Sequence, residues 1–112
     1  LYIYDNQLTN LPAGIFEGLG NLEELKLYGN QLTSLPAGIF EGLGKLEEID
    51  MEGNLLSSLS ADIFEGLGNL TYLFLYDNQL TSLPADIVPV LAAIRTVDLS
   101  DNPWQCDCNM LP

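Results

Sequence analysis

Histidine is absent from this chain of 112 residues, lysine and arginine together number three, and there are two cysteines and one tryptophan. Without histidine, and with only Cys106 and Cys108 as thiols, no nucleophile–base pair or nitrogen- and sulfur-rich metal site can be assembled. No catalytic residue, metal or cofactor is therefore expected. The scarcity of basic residues, against 16 Asp and Glu, gives a net charge of -13. Such a surface repels phosphate backbones and anionic headgroups, which argues against nucleic acid as a partner. It suits a partner with basic patches, or it keeps an apolar-rich chain soluble. No apolar run approaches the roughly 18 residues of a membrane span, so no direct membrane insertion is expected. Nor does the N-terminus show a basic segment followed by an apolar one, the mark of a signal peptide.

What the chain has is a period. Asparagine returns every 24 residues, at Asn6, Asn30, Asn54, Asn78 and Asn102, each time closing the same leucine-spaced phrase. Self-similarity at one period means that each repeat packs on its neighbours and buries a continuous core with them. With Leu22 as position 1, positions 1, 4 and 6 are Leu22, Leu25 and Leu27, then Leu46, Ile49 and Met51, then Leu70, Leu73 and Leu75, then Ile94, Val97 and Leu99. Positions 4 and 6 alternate as on one face of a strand, so positions 3, 5 and 7 face the other way. Strands are expected near residues 1–4, 25–28, 49–52, 73–76 and 97–100. They stack in parallel about 4.8 Å apart into an open concave sheet.

The asparagine at position 9 stands where the chain leaves the strand. Backbone groups there lack a regular ladder, and an inward side-chain amide can both donate to and accept from them. Positions 11 and 14 hold Leu8, Leu32, Leu56 and Leu80, and Leu11, Leu35, Leu59 and Leu83; proline follows at Pro12, Pro36 and Pro84, with Ser60 the exception. Phe16, Phe40 and Phe64 at position 19 are expected to stack as a convex spine, with Val88 taking that place in the fourth repeat. The glycine-rich segments around them suggest 3₁₀ or irregular turns. The Gly18-Leu19-Gly20 pattern is not a phosphate loop, since it lacks a Lys-Ser/Thr pair and a following helix.

The outward positions carry the functional signal. All five tyrosines fall on the concave strands, at Tyr2, Tyr4, Tyr28, Tyr72 and Tyr76, and Phe74 joins them at position 5. Strand propensity draws aromatics into sheets, but it does not account for a wholly apolar ring turned outward. Clustered exposed aromatics mark an interface. Between the aromatic groups lies an acidic field of Glu23, Glu24, Glu47, Glu48, Asp50 and Glu52, slightly offset by Lys26, with Arg95 and Asp98 on the last strand. An open sheet offers no enclosure to raise a catalytic carboxylate's pKa, so an acid–base pair is not expected.

After Asp98-Leu99-Ser100-Asp101-Asn102 the repeat gives way to Pro103, Trp104, Cys106 and Cys108. Trp104 occupies the position-11 leucine site and is expected to cover the last coil. Together with the repeat LxxLxLxxNxLxxLPxxxFxxLxx, this NPWxCxC ending resembles the extracellular leucine-rich repeat family. Variable lymphocyte receptors, Toll-like receptor ectodomains, Slit proteins and platelet glycoprotein Ib chains are of that kind. The resemblance implies a leucine-rich repeat solenoid over residues 1–101 and the start of a cysteine-rich C-terminal cap over 102–112. It also implies that Cys106 and Cys108 pair with later cysteines in a longer parent, in an oxidising, extracellular setting. Two residues apart on an extended chain, their Cα atoms would lie near 6.5–7 Å, at the upper limit for a mutual bond; free or intermolecularly paired thiols are the alternatives here. Leu1 falls inside a repeat, so the chain reads as part of a longer one.

Carried over by position, the ligand-contacting residues are Tyr2, Tyr4, Asp5, Glu24, Lys26, Tyr28, Glu48, Asp50, Glu52, Tyr72, Phe74, Tyr76, Asp77 and Asp98. The expected function is non-enzymatic recognition of an extracellular protein or glycan on the concave face, in immunity or adhesion. The alternative is a structural, self-associating matrix module, although a homodimer is disfavoured because two-fold pairing would oppose like charges. Asn69-Leu70-Thr71 is the one glycosylation sequon.

Overall fold

The structure is a computed structural model, and it describes residues 2, 3, 7 and 9–105. Tyr4, Asp5, Asn6, Leu8, Cys106 and Cys108, all named above, lie outside the described residues. Among the described residues four short strands, β1 (Glu24–Lys26), β2 (Glu48–Asp50), β3 (Tyr72–Phe74) and β4 (Thr96–Asp98), pair in that order in one parallel sheet. Each residue faces its counterpart one period away: Leu25 opposite Ile49, Ile49 opposite Leu73, Leu73 opposite Val97. In-register stacking follows because a slip of one residue would turn the inward leucines to solvent.

The strands begin one residue earlier than the sequence suggests, and among the described residues of the first repeat Tyr2 forms a parallel bridge to Lys26. Pairing nevertheless continues past the strand ends. Leu27 N–H donates to the Asp50 carbonyl at 2.7 Å and Gly29 N–H to that of Glu52 at 3.0 Å; the same steps recur at Met51, Gly53, Leu75 and Asp77.

At position 8 the chain leaves the strand through a left-handed conformation, with φ of 72° at Gly29 and Gly53, 58° at Asp77 and 55° at Asp101. Glycine takes this region freely, and aspartate is among the few side chains that tolerate it. A Cβ on Gly53 would also come within 3.5 Å of the Gly29 nitrogen. Asp77, expected from its position to be a ligand contact, is therefore also part of the turn.

Inside that turn the asparagines join coil to coil. Asn54 Nδ2 donates to the carbonyls of Met51 in its own coil (3.0 Å) and Leu27 in the preceding one (2.9 Å), while its Oδ1 accepts from Leu32 N–H at 3.2 Å. Asn78 repeats the set with Leu75, Met51 and Leu56, and Asn102 with Leu99, Leu75 and Leu80. Asn30 donates to Leu27 and Ile3.

The core runs through the leucines of positions 4, 6 and 11 and the convex phenylalanines. Phe16 stacks on Phe40 with centroids 6.4 Å apart, and Phe40 on Phe64 at 6.0 Å, both within about 11° of parallel. The spine does not continue through Val88, which is 54% exposed, while Ile87 is buried as Ile39 and Ile63 are at the same repeat position. The reason is a local change of structure. A 3₁₀ turn at Ala85–Ile87 runs into a short helix, α1 (Val88–Ala92), with Pro89 in its first turn, where proline needs no hydrogen-bond donor. Helical spacing of four then turns Ile87 and Leu91 inward together and Val88 outward. Beside this turn an apolar hollow of about 430 Å³ opens, lined by Phe64, Leu67, Leu70, Val90 and Ile94.

The last coil is covered by Trp104, half-buried against the core, whose indole Nε1 donates to the Leu99 carbonyl at 2.8 Å. Gln105 N–H reaches the Thr81 carbonyl one coil back at 2.9 Å.

Candidate binding face

Because the outward positions lie in register, the concave face is a set of rows crossing the strands. Position 3 reads Glu24, Glu48, Tyr72, Thr96 and position 5 reads Lys26, Asp50, Phe74, Asp98. Tyr2 extends the second row through its bridge to Lys26. Position 7 follows two residues on, with Tyr28, Glu52, Tyr76 and Ser100.

Lys26 is the hub of one half. Its ammonium lies 3.0 Å from Glu48 Oε2, 3.3 Å from Asp50 Oδ2 and 3.8 Å from Glu24 Oε2, and 5.6 Å from the centre of the Tyr2 ring. The hydrogen bond to Glu48 raises the Lys26 pKa above its ordinary value, burial opposes it, and Asp50 adds to the rise. Lys26 is thus not a minor offset to an exposed acidic field but the centre of a cluster that spans two strands. Residues 24 apart are cross-strand neighbours, so the row itself was the signal for it.

Asp50 corrects the sequence reading. It stands at an outward position but is only 6% exposed, because Lys26 and Phe74 flank it in the same row. Burial pushes its carboxyl up to about 6, the neighbouring Glu48 adds to the rise, and Lys26 works against it. Glu52 is half-buried, and its pKa is also raised, chiefly by burial. Asp50 Oδ1 and Glu52 Oε2 are enclosed and meet no hydrogen-bond donor.

The other half is aromatic. Tyr72 is 40% exposed and stacks on half-buried Phe74, with centroids 6.5 Å apart and planes at 18°. Tyr76 continues the strand outward, and its hydroxyl pKa is raised by the charge of Glu52 above all. On the last strand Asp98 is held below the usual carboxylate range by Ser100, whose hydroxyl donates at 2.6 Å and backbone N–H at 3.0 Å. Arg95 is exposed at the sheet edge. Asn69 is exposed in the turn before β3, and Thr71 Oγ1 donates to its carbonyl.

Among the described residues no three His, Cys, Asp or Glu side chains are arranged to hold a metal ion, and no helix is long and apolar enough to cross a membrane. A charged hub, a stacked aromatic pair and an open sheet suit contact with another surface more than chemistry on a small substrate.

A period of parallel strands, an internal asparagine ladder and an outward-facing patterned sheet define a solenoid repeat domain. The chain belongs to the leucine-rich repeat family, whose profile matches residues 1–56 and 52–103. Among solved structures, a leucine-rich repeat protein of Leptospira interrogans is similar at 37% identity, with a TM-score of 0.81 over 94% of this chain and 26% of that one. The leucine-rich repeat domain of APL1B is similar at 32% identity, with a TM-score of 0.81 over 93% of this chain and 31% of that one. The present chain therefore spans about a quarter to a third of those chains. No curated protein matches it. Domains of this family are generally non-enzymatic and typically bind proteins.

Proposed function

We propose that this chain is a recognition module of an extracellular protein and that its concave face binds a protein or glycan ligand. The observation that carries the reading is the Tyr72–Phe74 stack with Tyr76 beside it, an aromatic patch on a face no other part of the described chain covers. Rigid aromatics that lose little conformational freedom on contact are the usual anchors of interfaces. The acidic rows beside the patch would steer a basic partner and set the association rate.

The extracellular assignment rests on the NPWQCDC ending, and on the way Trp104 already seals the coil that such a cap would follow. Under this reading Cys106 and Cys108 form disulfides with cysteines further along the parent chain, and immune recognition or adhesion is the role. Asn69 is accessible to a glycan beside the patch.

The test is a screen of secreted proteins and surface glycans against the chain and its Phe74→Ala variant. A ligand of the concave face should bind the variant at least about 30-fold more weakly, the effect of losing a hot-spot aromatic worth about 2 kcal/mol. Ligands that bind both forms equally would move recognition off this patch.

A further inference from the structure

The two carboxylate oxygens without donors lie side by side in sequence pattern, on Asp50 and Glu52, both outward residues of one extended segment. Enclosed polar atoms in folded proteins are nearly always partnered, so such a pair at the centre of a sheet calls for an explanation. Lys26 does not supply it. An ammonium has three donors, and those of Lys26 serve Glu48 and Asp50 Oδ2, with Glu24 at 3.8 Å. No ion pair among the described residues reaches Glu52, and Asp50, 6% exposed, keeps Oδ1 unmet.

The surroundings of Glu52 add a second feature. In the position-7 row it stands between Tyr28 and Tyr76, which are two strand spacings, about 9.6 Å, apart. A cation seated on Glu52 would thus lie in a row with an aromatic residue on either side, and such rings attract a cation held within roughly 6 Å of their centres. We propose that Glu52, backed by Asp50 and flanked by Tyr28 and Tyr76, seats a guanidinium group, the arginine side chain of a protein partner. This rests on the concave-face reading and names the chemistry of that partner. Guanidinium fits better than ammonium because its planar fork offers five donors, reaching two carboxylates while stacking on aromatic faces. A metal ion does not fit, since no three-ligand arrangement is present among the described residues. Entry requires Glu52, which is half-exposed, to turn its enclosed oxygen toward the incoming group.

The test is an NMR titration of the whole chain with two blocked pentapeptides, identical except for a central arginine or its neutral isostere citrulline. The arginine peptide should shift the amides of Asp50, Glu52 and Tyr76, and the citrulline peptide should not. Glu52→Gln and Asp50→Asn, which preserve shape, should each weaken arginine binding about tenfold or more, as expected for losing a charged hydrogen bond. Glu65→Gln on the convex side should leave it unchanged. Affinity should also rise as pH climbs through about 6, where Asp50 loses its proton; burial raises the Glu52 pKa in the same direction. The other charged or titratable groups facing them are Lys26 and Glu24 from β1, Glu48 from β2, Tyr76 after β3 and Asp98 from β4. Equal shifts from citrulline, or an equal loss in Glu65→Gln, would overturn the proposal in favour of diffuse charge attraction. Peptides selected from a random library separate this from the broader reading. Arginine-bearing binders lost in Glu52→Gln support it. Binders that depend on Phe74 but lack arginine and ignore Glu52→Gln overturn it and leave the concave face as the binding surface.

Discussion

The inward asparagine column and the outward rows occupy the same repeats, two or four residues apart, and they obey opposite rules. At position 9 every described repeat has asparagine, and Asn54, Asn78 and Asn102 each hold the same three backbone groups across two coils. At positions 5 and 7 the period breaks, with Lys26, Asp50, Phe74 and Asp98 in one row and Tyr28, Glu52, Tyr76 and Ser100 in the other. There two enclosed carboxylate oxygens remain unmet. Residues that hold the coils together must be alike, because each coil presents the same backbone to the next. Residues that meet a partner need not be, and it is there that unbalanced charge and apolar rings collect.

The strongest break in the comparison lies in the convex spine. Phe40 is buried and stacked on both sides, so Phe40→Ala should cost about 3–5 kcal/mol by urea unfolding. Val88→Ala, at the equivalent place in the fourth repeat, should change stability by less than about 0.5 kcal/mol, because that side chain is exposed.

A smaller effect follows from pH. The folded chain keeps the Asp50 proton up to about 6, whereas its ordinary value is 3.8, so between these values the folded state binds more protons than the unfolded one. That contribution to stability is full below about pH 4 and is lost as pH rises through 6, a change on the order of 3 kcal/mol. Comparing unfolding of the parent and Asp50→Asn from pH 4 to 7 should show the parent losing this increment and the variant not. Smallest is the turn at position 8. Asp77→Gly relieves a left-handed φ of 58° and should raise stability by about 0.5–1 kcal/mol, seen as a higher thermal midpoint.

Much of the scaffold was legible because it is written five times. Leu25, Ile49, Leu73 and Val97 announce an in-register sheet without reference to any one repeat. Where a repeat departs from the pattern, position ceased to be a guide. Val88 aligns with Phe64, yet α1 rotates it outward, and the phenylalanine column ends there. On the concave face the aromatic residues were legible as outward, but burial of Asp50 was not, since it depends on the particular neighbours Lys26 and Phe74. Reading across repeats at positions 3 and 5, instead of along each strand, would have placed the lysine opposite Asp50 and diagonal to Glu48.

The central claim, that the asparagines carry the fold and the outward row does not, is tested most directly by unfolding Asn54→Ala and Glu52→Ala in urea under one buffer. Removing Asn54 strands Leu32 N–H and takes one of two asparagine donors from each of the Leu27 and Met51 carbonyls, and should cost about 1–3 kcal/mol. Removing Glu52, whose enclosed oxygen has no partner, should cost less than about 0.5 kcal/mol. Equal losses in the two variants would contradict the account.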